Sequence, residues 1–174
     1  RLPILFLPGD TYANRMPDPV LQQVEHFNNP NITQNDAFKY VTRYFDRITR
    51  PEQILQTLPQ AIQTMIDPAD CGPACISLSQ DVQGEVFDYP EEFFKEKIHT
   101  IRRPRPDDFQ IKQAVETIKK SKNPIIISGG GVFYSDAMKE LSEFAKKHNI
   151  PTAQTVMGYS TMKKDDPYFL GAIG

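Results

Sequence analysis

Asn123-Pro124-Ile125-Ile126-Ile127-Ser128-Gly129-Gly130-Gly131-Val132 is an apolar run that empties into three glycines. A short apolar run bounded by Pro and Gly reads as a buried strand ending in a tight turn. Upstream, Asp107 predicts the N-cap of a helix whose apolar face is Ile111, Ala114, Val115 and Ile118. Lys119, Lys120 and Lys122 fall at the negative end of its dipole. Downstream, Ser135 predicts the cap of a second helix with Ala137, Met138, Leu141, Phe144, Ala145 and His148 facing inward, and Asn149 predicts its stop. Ile150 to Thr155 then reads as another strand. Helix, strand, glycine turn, helix and strand in this order define a doubly wound α/β pattern with parallel strands.

The N-terminal part carries a second α/β pattern. Leu2 to Leu7 predicts a buried strand closed by a turn at Pro8-Gly9-Asp10. Asp18 and Pro19 predict the start of a helix with Val20, Leu21, Val24 and Phe27 on one face, ended by Asn28-Asn29-Pro30. Thr49 and Glu52 have capping-box spacing ahead of the stripe Ile54, Leu55, Leu58, Ala61, Ile62, Met65 and Ile66. Pro59 lies inside that stripe and predicts a kink or a split; Asp67-Pro68 predicts its end. Cys71-Gly72-Pro73 reads as a turn into a strand at Ala74 to Leu78. Between the two patterns lies a stretch with Pro90, Pro104 and Pro106 beside Arg102, Arg103 and Arg105. It reads as an inter-domain connection, so the expected organisation is residues 1–88, a linker at 89–106, and residues 107–174.

Composition sets the outer bounds. The 174 residues are 39% apolar and 24% charged, as in a soluble globular protein. Twenty Lys+Arg against 22 Asp+Glu give a net charge of −2, which argues against broad nucleic-acid binding. No apolar run approaches the ~20 residues that cross a bilayer. Two cysteines are too few for a disulfide framework. A chain that begins at Arg1, and whose last sheet lacks the usual further strands, reads as a piece of a longer cytosolic protein.

The chemistry-bearing residues are sparse. A strand that ends in glycines ahead of a helix could present backbone amides to a phosphate, or could be only a tight turn. Gly129 and Gly131 fit the first two glycines of a dinucleotide fingerprint, but Tyr134 occupies the third position. Cys71 and Cys75 lack a second pair or a neighbouring His and read as ordinary thiols. His26, His99 and His148 are isolated, and Asn31-Ile32-Thr33 reads as a polar loop rather than a glycosylation site. Gln80 and Asp81 follow a strand, where ligand-facing groups of an open α/β sheet collect. Asn35-Asp36-Ala37-Phe38-Lys39 reads as a capped helical turn around an aromatic. These residues alone specify no reaction.

Three stretches resemble the thiamine-diphosphate-dependent, acetolactate-synthase-like superfamily. Asp36-Ala37-Phe38 and Gly72-Pro73-Ala74-Cys75-Ile76-Ser77-Leu78-Ser79-Gln80-Asp81-Val82 are similar to its pyrimidine-binding domain. Asn123 to Val132, Ile150-Pro151-Thr152 and Gly171-Ala172-Ile173-Gly174 are similar to its central domain. Leu7-Pro8-Gly9-Asp10-Thr11-Tyr12-Ala13, Pro17 to Glu25 and Ile101-Arg102-Arg103-Pro104-Arg105-Pro106 bring the likeness closer to a hydrolytic, inositol-catabolic branch. The implied fold is the end of a thiamine-diphosphate-binding-type parallel sheet domain joined to the first part of a Rossmann-like central domain.

The implied activity is hydrolytic ring opening of a cyclic polyhydroxy dione with thiamine diphosphate and Mg²⁺ in a cytoplasmic homo-oligomer, a dimer or tetramer. A carboligase of the same superfamily and a nucleotide-binding α/β module are the alternatives. Phe38 stands at the superfamily's active-site aromatic, Lys39 where related carboligases carry Gln, and Gln80 where they carry Lys. Phe38, Lys39, Gln80 and Asp81 are therefore the substrate-pocket candidates. In flavin-containing relatives the turn matching Gly129, Gly130 and Gly131 touches the cofactor; here a structural role is expected for it. The superfamily's activating glutamate and its Gly-Asp-Gly…Asn metal and diphosphate motif have no counterpart in this sequence. The segment alone is expected to be inactive, with no catalytic residue, no metal ligand and no bound cofactor.

Overall fold

The computed structural model describes residues 1–14 and 32–174. The helix expected after Asp18 lies outside the described residues. The chain divides into two compact units, Arg1–Arg102 and Arg103–Gly174.

Among the described residues of the first unit the strands are β1 (Leu5–Phe6), β2 (Gly9–Asp10), β3 (Tyr44–Ile48) and β4 (Ala74–Ser79), with helix α1 (Ile54–Ile66) between β3 and β4. β4 is central. β1 and β2 pair along one edge of it and β3 along the other, all parallel. Its side chains alternate between two environments. Ala74 and Ile76 join Ile48, Ala61 and Val82 in the buried core, and Ile54, Leu58, Met65 and Leu78 pack against it. The opposite positions, Cys75, Ser77 and Ser79, are small, polar or weakly polar, and buried.

Two expectations change here. Leu2 to Leu7 does not form a buried strand: Leu2 and Leu7 are 64% and 51% exposed. Nor does Pro8-Gly9-Asp10 end it, because Leu5 faces Ala74 and Asp10 faces Ser79 in one unbroken register. Pro8 accepts a bond from the Leu78 amide (2.9 Å) but has no N–H to give back. An edge strand tolerates that loss, and the ladder thins there without stopping.

α1 also departs in detail. Gln53, not Glu52, closes its N-terminus: its Oε1 accepts from the amides of Thr49 (2.6 Å) and Arg50 (3.0 Å). Pro59 neither splits nor ends α1, which runs to Ile66, with Asp67 as its C-cap. Packing of Leu58 and Ala61 against the sheet offsets the amide Pro59 lacks. The turn expected at Cys71-Gly72-Pro73 lies earlier: the Asp67 carboxylate accepts from the amides of Ala69 and Asp70, and 71–73 lead straight into β4.

The second unit contains α2 (Asp108–Lys120), β5 (Ile126–Ser128), α3 (Gly131–Tyr134), α4 (Met138–His148), β6 (Thr152–Thr155) and β7 (Phe169–Ile173). Its sheet has the order β5-β6-β7 and is parallel throughout. β7 includes a one-residue register shift, and Gly171 beside it sits at φ 110°, a conformation open to glycine. Asp107 caps α2 through the Gln110 amide (2.8 Å), and Asn149 ends α4 in the left-handed region at φ 53°.

The helix faces differ from expectation. Ile111, Ala114, Val115 and Ile118 of α2 are all exposed, because no described element covers them. Ser135 does not cap α4 but closes α3; Asp136 turns the chain at φ 55°, which delays α4 to Met138. Of the expected inward residues, Ala145 is buried and Leu141 and Ala137 are half-buried, while Met138, Phe144 and His148 are exposed.

Candidate functional site

The polar face of the first sheet carries a network built from three strands. Alternation places Arg47 of β3 beside Ser77 of β4, while Asp10 comes from β2. Arg47 Nε donates to Asp10 Oδ2 at 2.6 Å, and Nη2 donates to Asp36 Oδ1 at 2.8 Å and to Thr33 Oγ1 at 2.9 Å. The Ser77 hydroxyl donates to the same Asp10 oxygen. The Thr11 amide donates to Asp10 Oδ1 at 2.8 Å.

The segment Gln34–Tyr40, a 3-10 helix, lies over this face. It is locked by a reciprocal cap: Thr33 Oγ1 accepts from the Asn35 amide and Asp36 Oδ2 accepts from the Thr33 amide (3.0 Å). Asn35 Nδ2 donates to the Gly9 carbonyl and to Ser77 Oγ, both at 2.7 Å.

Electrostatics follow from these contacts. Burial pushes the Asp10 carboxyl up, but the bonds from Ser77, Arg47 and Thr11 outweigh it and hold it below its ordinary value. Desolvation likewise opposes Asp36, yet Lys39, the Thr33 amide and Arg47 bring it down to about 2. The Arg47 guanidinium is held above its ordinary value; burial opposes this, and the two carboxylates prevail. Burial raises the Cys75 thiol to about 11, so it is an inert core group.

The four substrate-pocket candidates are not brought together. The Phe38 ring meets Phe6 at 4.7 Å, and the Lys39 ammonium lies 2.8 Å from Asp36 Oδ1 and 5.3 Å from the Phe45 ring centroid. Phe6 and Phe45 both pair with Cys75. Gln80 and Asp81 lie just past the end of β4, five and six residues beyond Cys75. At ~3.3 Å per residue, Gln80 is about 16 Å along the strand from Cys75.

Asp81 is already engaged: Oδ1 accepts from Ala13 and Oδ2 from Asn14, both at 2.8 Å. Those amides hold its carboxyl below the ordinary value against the upward push of burial. Its role is to tie the chain after β2 to the end of β4. The Gln80 side chain is exposed.

The glycine turn is spacious at two of three positions. A Cβ on Gly131 would meet nothing within 4 Å, and one on Gly129 only the Thr155 hydroxyl at 3.7 Å. At Gly130 it would come 3.1 Å from the Met157 carbonyl and 3.6 Å from the Tyr134 ring. The amides of Val132, Tyr134 and Ser135 bond the carbonyls of Gly129, Gly130 and Gly131, so they are spent on α3. Nearby, Gly158 is required for packing, since a Cβ there would strike the Ser128 carbonyl.

The residues do not fit a metal-diphosphate cofactor. Among the described residues no group of three or more His, Cys, Asp or Glu is placed to hold a metal ion. Asp10, Asp36 and Asp81 are all occupied by donors of the protein itself.

Sequence reasoning missed the Asp10–Arg47–Asp36 network. Its signal is present in Tyr44-Phe45-Asp46-Arg47-Ile48, where alternation puts an arginine on the face opposite Tyr44 and Ile48. A strand arginine facing inward demands carboxylates, but which ones is not legible locally.

Both units are parallel α/β layers, the first closed on a charged network and the second carrying a strand that runs into a glycine turn. Residues 111–174 match the model of the thiamine pyrophosphate enzyme central domain family. Over 173 residues, 99% of this chain, it is 51% identical to a 3D-(3,5/4)-trihydroxycyclohexane-1,2-dione hydrolase of Clostridium botulinum (strain Alaska E43 / Type E3). The identity is 49% to the protein of that name in Listeria monocytogenes serovar 1/2a and 47% to that in Bacillus cereus (strain AH820), over the same share of the chain. The chain spans 27% of the length of each of these relatives.

Proposed function

We propose that this chain is a segment of a thiamine-diphosphate-dependent hydrolase that opens the ring of 3D-(3,5/4)-trihydroxycyclohexane-1,2-dione to 5-deoxy-D-glucuronate in myo-inositol catabolism. The supporting observation is near-half identity to hydrolases of that name, continuous across both units and the stretch joining them. The complete protein is cytoplasmic and a homo-oligomer in this reading, and it binds no nucleic acid. Among the described residues no helix is long and apolar enough to cross a membrane. Thiamine diphosphate with Mg²⁺ supplies the electron sink for breaking the ring C–C bond when bound in the complete protein.

This chain contributes shape and substrate contacts rather than proton transfer. Phe38 offers a half-buried aromatic wall and Lys39 a half-exposed cation beside it. Gln80 offers an amide at the end of β4, and Asp81 positions the Ala13–Asn14 backbone there. The Lys39 ammonium beside the Phe38 ring matches hydroxyl and carbonyl oxygens of a polyhydroxylated ring, while Gln80, ~16 Å further along β4, lines the approach to that seat rather than the seat itself. The turn at Gly129, Gly130 and Gly131 serves as a structural joint, not as a nucleotide site.

The test is turnover by the complete protein offered the cyclic dione or pyruvate, alongside isothermal titration of thiamine diphosphate with Mg²⁺. Ring opening with the dione only is expected. Turnover of pyruvate alone would replace this reading by the carboligase one. Tight cofactor binding to residues 1–174 alone would overturn the assignment of the cofactor site to other segments.

A further inference from the structure

We propose that Asp10, Arg47 and Asp36 form a positioning relay that fixes the Lys39 ammonium for substrate binding; this rests on the reading of Lys39 as a substrate contact. The geometry is a chain of shared atoms. Asp10, buried under the sheet edge, aims the Arg47 guanidinium by accepting from Nε at 2.6 Å. Arg47 Nη2 then reaches Asp36 Oδ1 at 2.8 Å, and that same oxygen meets Lys39 Nζ at 2.8 Å. Phe45 completes the seat: its ring lies 5.3 Å from the Lys39 ammonium and 5.8 Å from the Arg47 guanidinium.

A stability role alone is a poor account of this arrangement. Buried ion pairs return little over well-packed apolar residues, because desolvation of the charges offsets their attraction. The opposite face of the same sheet is packed in that apolar way, by Ile48, Ala61 and Ile76. What the charged face adds is direction. Arginine forms a planar fork, so a carboxylate it holds is oriented as well as neutralised. Of the cluster's charged groups, Asp10 is enclosed, Arg47 and Asp36 are about a quarter exposed, and only Lys39 reaches well into solvent, with 46% of its side chain accessible. The relay thus runs from the sheet interior to one surface cation.

The experiment uses the complete protein. Arg47→Lys keeps the charge but loses the fork, and Asp36→Asn keeps the shape but removes the shared charge. Both are expected to raise KM for the cyclic dione on the order of tenfold, as Lys39→Met does, because uniform substrate binding is what is lost. A merely loosened fold would lower kcat through the active fraction and leave KM alone. Combining Arg47→Lys with Lys39→Met should cost no more than Lys39→Met by itself. An unchanged KM in Asp36→Asn, with Lys39→Met impaired, overturns the relay, as do additive losses in the double variant. Asp36→Asn decides the matter if Arg47→Lys does not fold, since Asp36 lies nearer the surface. An unchanged KM in Lys39→Met instead removes Lys39 from the substrate, which is failure of the underlying reading rather than of the contacts.

Discussion

α1 and α2 are both 13-residue amphipathic helices, and among the described residues only α1 has a partner. α1 buries Thr57 and Ala61 and lays Ile54, Leu58 and Met65 on the first sheet. α2 buries nothing, although its cap at Asp107 and its terminal lysines are as well formed as any in the chain. A hydrophobic stripe and a good cap make a helix; they do not say what the stripe will meet. The two units differ in the same sense. The first closes on an apolar core and a charged network, whereas the second leaves Ile125, Ile127 and the α2 face in contact with solvent.

The largest effect expected from this contrast lies in the network. Arg47→Met should cost about 3–5 kcal/mol, because it leaves Asp10 charged and enclosed without its partner. Urea unfolding followed by circular dichroism measures it; a loss below ~1 kcal/mol would mean that Asp10 has found water. Next, Ile76→Ala, at a fully buried core position, should cost about 2–5 kcal/mol, while Val115→Ala in α2 should stay within ~0.5 kcal/mol. Equal costs would mean that the α2 face is covered in solution, and the contrast between the helices would fall.

Acid should separate the units too. A carboxylate held below its unfolded value stabilises the fold above that value and loses the contribution as pH falls through the folded one. For Asp36 the window runs from the ordinary 3.8 to about 2, and Asp10 and Asp81 shift in the same direction. In the second unit the half-buried Asp166 shifts downward, through Ser142 and the Tyr168 amide. Amide signals of β4 should therefore lose protection before those of β6 on titration below pH 4, and the reverse order would break the comparison. The smallest effect is Gly131→Ala, expected to stabilise by about 0.5–1 kcal/mol in thermal melts, because nothing crowds a Cβ there and α3 gains a better helix former. A clear loss would show that the turn needs its bare backbone.

Much of the local structure was legible. The strand at Ala74, the stripe of α1, the stops at Asp67 and Asn149 and the cap at Asp107 follow from periodicity and side-chain capping within a few residues. The misses share a cause. Leu2 to Leu7 looks buried by hydropathy but lies at an edge, and the α2 face looks like core but has no described cover. Of the proposed site, the sequence named Phe38, Lys39, Gln80 and Asp81 as candidates, but their separation along β4 and the engagement of Asp81 by Ala13 and Asn14 were not readable. Those facts depend on register between strands far apart in the chain.

The sequence by itself determined α1, α2 and α4 and the strands β4, β5 and β6 to within a few residues, because these rest on interactions between near neighbours, whereas β3 and β7 were not read as strands. Tertiary structure decided which apolar faces are buried and which charges meet. Asp10 and Arg47 are 37 residues apart, and only the pairing of β2 and β3 against β4 brings them to 2.6 Å. Burial and ion pairing are properties of what lies opposite a residue, and local pattern carries no information about that.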